Sequence, residues 1–249
     1  MSASARLRNS MPSWAESTGF RPTADEPSTT WFTNIDSTRL LREIISSYDS
    51  PVVRAYCWGR FQILRLRFLE EVGQYLPQRG QILDVGCGFG LFSLFFAASH
   101  PQRTIHGFDL NPRRIEMAQK SADKLGLKNV SFHAENAVNW KAGEKFDAAY
   151  MLDIVHHIPR EAVDGLITEL RNKLSPTGVL LIKDVADKPA YKAAFTWALD
   201  KAMDFRTPVH YWSMSSLTEL LRKKSLQVFA HQMVDYLPYP HVIYVCRPV

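Results

Sequence analysis

The chain is short of several features, and each absence removes a class of protein. No run of about 18 apolar residues occurs anywhere in its 249 residues, so no transmembrane helix is expected. The first residues, Met1 to Arg8, hold no apolar h-region, which argues against a secretory signal. Cysteine is scarce: Cys57, Cys87 and Cys246 form neither a disulfide framework nor a metal-ligand spacing, so reduced thiols and a cytoplasmic location are expected. There is no internal repeat, no arginine-rich arm and no aromatic RNA-binding signature. The net charge of +5 is scattered, its densest groups being Arg65/Arg67, Arg113/Arg114 and Arg222-Lys223-Lys224, which read as solvated helix faces. Nucleic acid is therefore not an expected partner. What remains, 46% hydrophobic and 22% charged residues, is ordinary globular material, long enough for one large α/β domain with additions.

Against that plain background one segment stands out: Leu83-Asp84-Val85-Gly86-Cys87-Gly88-Phe89-Gly90. It reads as a short apolar strand ending in an acid, then glycines at alternate positions, then a helix-compatible run from Leu91 to Ser99. Such glycines let the backbone turn tightly and approach a ligand, with the N–H groups of the loop and the helix start facing it. The dinucleotide fingerprint G-x-G-x-x-G would place its third glycine at Leu91, whereas here it falls at Gly90. The acid before the first glycine suits an amine-bearing ligand better than a pyrophosphate. A second acid, Asp109, closes the strand-like run Arg103–Phe108, about 20 residues past the loop, where Rossmann-like units hydrogen-bond ribose hydroxyls.

With Leu83–Gly90 and Asp109 together, the chain resembles the class I S-adenosylmethionine-dependent methyltransferases over Gln81 to Val185. The resemblance implies an α/β fold: a Rossmann-like, doubly wound, mostly parallel seven-stranded sheet with an antiparallel last strand, plus an N-terminal helical lid. It also implies S-adenosyl-L-methionine as cofactor. The chain itself divides into a Ser/Thr/Pro-rich tail over residues 1–33, helices over 34–76 in the lid position, and the main domain over 77–249. Ser37 is a plausible N-cap for a first helix, and Ser50-Pro51 starts a longer one. Strands are expected near 81–86, 104–109, 130–134, 146–152, 178–184, 226–233 and 241–247, and helices near 90–99, 112–125 and 160–174. Pro112 and Pro159 suit first helical turns. An insertion over 187–224 carries a helix from Pro189 to Phe205, an aromatic loop and a helix capped by Ser213.

By the same resemblance, Gly86, Cys87, Gly88 and Gly90 shape the cofactor loop, Asp84 holds the methionine amino group and Asp109 accepts the ribose hydroxyls, a carboxylate being suited to a vicinal diol. Leu110 would lie on the adenine face. Asn136 takes the place of the acid that many relatives set against the adenine amino group, with Glu135 as fallback and Ala137 beside it; Val138 and Trp140 are adenine-wall residues, Trp140 equally readable as core. Asp153 borders the methionine end of the cofactor or a substrate donor. His156 and His157 follow the fourth strand, where an imidazole that titrates near neutrality can take a proton; His210 is a further base candidate. Tyr211, Tyr236, Tyr239 and His241 have similar placement. Asp153 is a lone carboxylate beside the histidines, so no metal is expected.

Aromatic residues crowd the segments expected above the sheet edge, among them Tyr48, Tyr56, Trp58, Phe61, Trp197 and Trp212. They suggest a small, apolar or aromatic acceptor, with oxygen as the first choice of methylated atom. Two alternatives stay open: an RNA or protein methyltransferase, and a module that binds the cofactor without transferring its methyl group. Against RNA, the stretch Asp153-Ile154-Val155-His156 replaces the N-P-P-[YF] tetrapeptide of many base-amino methyltransferases. The sequence does not state an oligomeric order.

Overall fold

A computed structural model describes residues 36–138, 140, 143–185, 209–232 and 241–249. The tail before Thr33, the Pro189–Phe205 helix with Trp197, and the Val234–Pro240 loop with Tyr236 and Tyr239 lie outside the described residues.

Helix α1 (Ser37–Ser47) is capped by Asp36, whose carboxylate accepts Arg39 N at 3.0 Å; Ser37, expected as the cap, is the first helical residue. The correction is one residue, because Asp and Ser cap equally well and only the backbone decides which one stays extended. Helix α2 (Pro51–Tyr75) begins with Pro51 behind the Ser50 cap, where a missing N–H costs nothing. Strand β1 (Gly80–Val85), helix α3 (Leu91–Ser99), β2 (Arg103–Asp109), α4 (Pro112–Lys124), β3 (Val130–Ala134) and β4 (Phe146–Leu152) follow. A 3-10 turn at Val155–His157 leads to α5 (Arg160–Lys173), β5 (Leu174–Val185), α6 (Met214–Lys223), β6 (Leu226–Gln232) and β7 (His241–Pro248). Pro159 sits one place earlier than expected, at the cap of α5 with extended backbone. Strand β5 starts four residues sooner than the sequence suggested, because Leu174 pairs with Phe146 before a register shift.

The seven strands form one sheet in the order β3-β2-β1-β4-β5-β7-β6. Strands β1 to β5 pair in parallel, and β7 runs antiparallel to both β5 and β6. Strands buried on both faces carry continuous apolar runs, as Val179–Ile182 does, and alternate residues feed two cores. Ile82, Ile105, Tyr150 and Leu181 meet α1 to α4 on one face, while Leu83, Phe108, Met151 and Leu180 meet α5 and α6 on the other. The N-terminal helices share the first core, where Ile44, Cys57, Leu69 and Val72 are fully buried. Each such side chain contributes about 1.5–3 kcal/mol relative to exposure. All three cysteines are free. Among the described residues no helix is long and apolar enough to cross a membrane.

Parallel order sends the C-terminal ends of β1, β2, β4 and β5 to one edge. In open α/β sheets that edge, at the point where strand order reverses beside β1, is where ligands bind.

Candidate functional site

The loop after β1 turns directly onto its neighbour: Gly86 N and Cys87 N both donate to Phe108 O, at 2.8 and 2.9 Å. Gly86 has φ 75°, and a Cβ there would stand 1.9 Å from Ile154 Cδ1. Gly88 has φ 57° with open space where its Cβ would point, the form of a backbone cradle that a ligand can approach. Gly90 donates to Cys87 O at 2.9 Å and starts α3 in the left-handed conformation, with no side chain capping the helix. The first N–H groups of α3 therefore lack intrahelical acceptors beside the loop.

Asp109 is held rigidly. Its Oδ2 accepts Gly88 N at 3.0 Å and its Oδ1 accepts Asn111 N at 2.9 Å. Each oxygen keeps a lone pair, so the carboxylate can accept two hydroxyls of a vicinal diol. Leu110, next in sequence, is 69% exposed, and Val138 in the turn that follows neighbouring β3 is 46% exposed. Two bare apolar side chains at one edge suit the faces of a flat ring. Asn136 is exposed and its Oδ1 accepts Val138 N at 3.0 Å, a local turn with Ala137 half-buried inside it. Trp140 stacks on Phe108, with centroids 5.4 Å apart, and is buried in the second core. Trp140 also lines a groove of about 330 Å³, with Phe108, His106, His133, Glu135 and Glu144.

Asp84 lies beneath the loop, buried at 3% exposure. Ser93 Oγ and Tyr150 Oη donate to its Oδ2, at 2.5 and 2.9 Å. Burial pushes its pKa up to about 7, and the two hydroxyls only partly oppose that. No cation pairs with it among the described residues, so an ammonium group arriving at the loop would find a buried carboxyl ready to ionise. Open cradle, fixed diol acceptor and unpaired buried carboxyl together fit S-adenosylmethionine.

A second cluster stands at the ends of β4 and β5, linked to the loop through Ile154. Asp153 has φ 58°, a strained conformation for a side chain other than glycine, held by its N–H to Lys183 O at 2.8 Å. Its Oδ1 accepts Lys183 Nζ at 2.5 Å and its Oδ2 accepts Arg60 Nη2 at 2.7 Å. Burial alone would raise its pKa, but the Lys183 and Arg60 charges outweigh that and hold it far below the carboxylate range. His156 is buried with Nδ1 bonded to Asp184 Oδ1, and its backbone N donates to Asp184 Oδ2 at 3.0 Å. Its ring lies 4.0 Å from that of His157 and 5.7 Å from that of Tyr211, and His210 N donates to His156 O at 2.7 Å. The structure thus gathers the three histidines around one turn. The N-terminal helices reach the same edge: Tyr48 Oη donates to Phe89 O at 2.8 Å, and Tyr56 meets the Phe89 ring edge-on.

Five residues here escaped sequence reasoning: Ser93, Tyr150, Arg60, Lys183 and Asp184. Strand pairing places Tyr150, Lys183 and Asp184, and the packing of α3 and α2 on the sheet places Ser93 and Arg60. Tyr150 is the register partner of Asp84, and Lys183 of Leu152, one residue before Asp153.

Residues 82–178 match the model of a family described as a methyltransferase domain. A ubiquinone biosynthesis O-methyltransferase from Cereibacter sphaeroides is 28% identical, over 66% of this chain and 68% of that protein. A 23S rRNA (uracil(747)-C(5))-methyltransferase from Cronobacter sakazakii is 29% identical, over 56% of this chain and 36% of its own length. The chain spans 42%, 27% and 36% of the first three curated relatives that it matches. An O-methyltransferase family protein from Burkholderia thailandensis superposes with a TM-score of 0.63 at 18% identity, covering 86% of this chain and 68% of its own, a likeness of fold.

Proposed function

We propose that the chain, similar over residues 82–178 to a methyltransferase domain and folded on the matching sheet, is a class I S-adenosylmethionine-dependent methyltransferase that methylates an oxygen of a small, apolar or aromatic acceptor. The observation that carries this reading is the pair of carboxylates flanking the glycine loop. Asp109 is oriented by Gly88 N and Asn111 N for the ribose diol, and Asp84 is buried, with no cation among the described residues, for the methionine ammonium. When bound, S-adenosylmethionine supplies a methyl group on an already excellent leaving group. The chain's own task is then alignment and exclusion of water.

Alignment falls to the loop, to Asp84 and Asp109, and to Leu110, Asn136 and Ala137 at the adenine end. Helices α1 and α2, seated on Phe89 through Tyr48 and Tyr56, act as the lid, which leaves room for a small acceptor rather than an extended polymer. A proton leaving an acceptor hydroxyl needs a base near the edge of β4. His156 fits best, its Nδ1 fixed by Asp184 so that Nε2 is the working nitrogen, with His157 and His210 packed around it.

Titration calorimetry with S-adenosylmethionine on wild type and Asp109→Ala tests the cofactor site. Two lost hydrogen bonds to a charged group, at about 1.5–3 kcal/mol each, should weaken binding by at least two orders of magnitude. A screen of phenols and hydrophobic alcohols for release of S-adenosylhomocysteine then tests transfer. Tight cofactor binding with no turnover would favour a binding module, and salt-sensitive RNA binding would favour the nucleic-acid reading that the rRNA-methylating relative keeps open.

A further inference from the structure

Lys183 is a fully buried cation that the methyl-transfer reading leaves unused. Its side chain is 0% exposed, with one hydrogen bond among the described residues, to Asp153, and the Phe68 ring 5.6 Å from Nζ. Asp153 already has a partner in Arg60. Among the described residues one carboxylate therefore serves two cations by direct contact, although a single cation would satisfy it. Burial disfavours the lysine's charge, Asp153 favours it and Arg60 opposes it; Asp184, the next residue of β5, favours it too, but only through space. It points to the opposite face, and its oxygens accept His156 Nδ1, His156 N and Val185 N. His241 of β7 faces Asp153 too and can only add positive charge there. A surplus cation in a low-dielectric setting is costly unless an anion joins it.

The surplus has an opening. Arg60 is 27% exposed on its side chain and Asp153 is 13% exposed. Arg60 spends only Nη2 on Asp153, so its Nη1 and Nε have no partner among the described residues. A guanidinium with a spare edge is the group best shaped for a carboxylate or phosphate. Its position is equally telling. Arg60 lies 5.6 Å over the ring of Phe92, in the first turn after the glycine loop, and Ile154, next to Asp153, touches the loop at Gly86. The cations are thus one side chain from the cofactor loop, on its β4–β5 side.

We propose that the methyl acceptor is an organic acid, whose carboxylate or phosphate is received by Arg60 with Lys183 supplying the second positive charge. The inference rests on the methyl-transfer reading and narrows it. The acceptor joins an apolar body to one anionic end, and the anionic end, anchored on Arg60, sets which of its oxygens faces the methyl group. Arg60 is then a specificity-determining residue, and Asp153 the spacer that holds both cations in place.

The test uses matched ligands on the full chain loaded with S-adenosylhomocysteine. Benzoate, phenyl phosphate and the neutral benzamide are titrated by calorimetry into wild type, Arg60→Gln and Arg60→Lys. The expected result is at least about a ten-fold preference of wild type for an anion over benzamide. Arg60→Gln should abolish that preference and Arg60→Lys should restore part of it. Benzoate against phenyl phosphate identifies the anion. The proposal is overturned if benzamide binds as well as both anions, if neither anion binds at millimolar concentration, or if Arg60→Gln keeps the preference. Retained S-adenosylhomocysteine binding shows that a variant is folded. Failure of wild type to bind S-adenosylhomocysteine would instead overturn the methyl-transfer reading, so the two failures are distinct.

Discussion

Tyr150 stands directly across from Asp84 on the adjoining strand, and its hydroxyl donates to Asp84 Oδ2 at 2.9 Å. The tyrosine is fully buried between β1 and α3, its ring edge-on to Phe96. It fixes the carboxyl in place without neutralising it, and this leaves the ionisation of Asp84 to whatever binds above.

Asp84 makes apo stability depend on pH. Its folded pKa, about 7, is raised above the ordinary 3.8 by burial, so the folded state favours the protonated form. A raised pKa contributes stability that is complete below about 4 and is lost as pH rises through about 7. Wild type without cofactor should therefore lose on the order of 1–3 kcal/mol relative to Asp84→Asn between pH 5 and pH 8, at about 1.4 kcal/mol per pKa unit. The same asparagine should weaken S-adenosylmethionine binding by at least about ten-fold at pH 8. Urea unfolding of both proteins at the two pH values decides it, and parallel pH dependences would sink the idea.

Gly88 and Gly86 should respond differently to alanine. Both have positive φ, which costs a non-glycine residue about 1–2 kcal/mol. At Gly88 the new methyl enters open space, so Gly88→Ala should fold with that modest loss yet bind cofactor at least about ten-fold more weakly. At Gly86 it meets Ile154 at 1.9 Å, so Gly86→Ala should lose clearly more stability. Thermal unfolding and calorimetry on the two variants separate the effects; equal stability losses would contradict the geometry.

Asp184 should act through His156. Asp184→Asn is expected to lower kcat by about 10²–10⁴-fold while leaving the S-adenosylmethionine Kd unchanged. The double variant with His156→Gln should be no slower than His156→Gln alone, as befits two groups acting as a unit. Additive losses, or a lower melting temperature with kcat intact, would reduce the pair to a structural tie.

Tyr150→Phe removes one of two donors from a buried carboxyl. A cost of about 1–3 kcal/mol is expected, read by urea unfolding at pH 8, where Asp84 is ionised. A smaller cost at pH 5 than at pH 8 would mark the bond as one made to the charged form; equal costs would contradict that.

The glycine loop, the acid before it and Asp109 were legible in the residues themselves. Positive φ at Gly86, Gly88 and Gly90 is a local demand, and an acid ending a strand needs only a few neighbours to be recognised. Strand and helix positions were legible for the same reason, since periodicity is local, and their errors were shifts of a few residues at Asp36, Pro159 and Leu174. Tertiary structure alone decided the rest. Asp84 meets Tyr150 because β4 inserts beside β1, Asp153 meets Arg60 across 93 residues of sequence, and Asp184 meets His156 because β5 ends one strand further on. The packing of Trp140 on Phe108 likewise came only with the fold. Backbone conformation is set by near neighbours and shows in a sequence. The charge that a buried side chain will face is set by strand order, which is non-local and takes shape only when the sheet does.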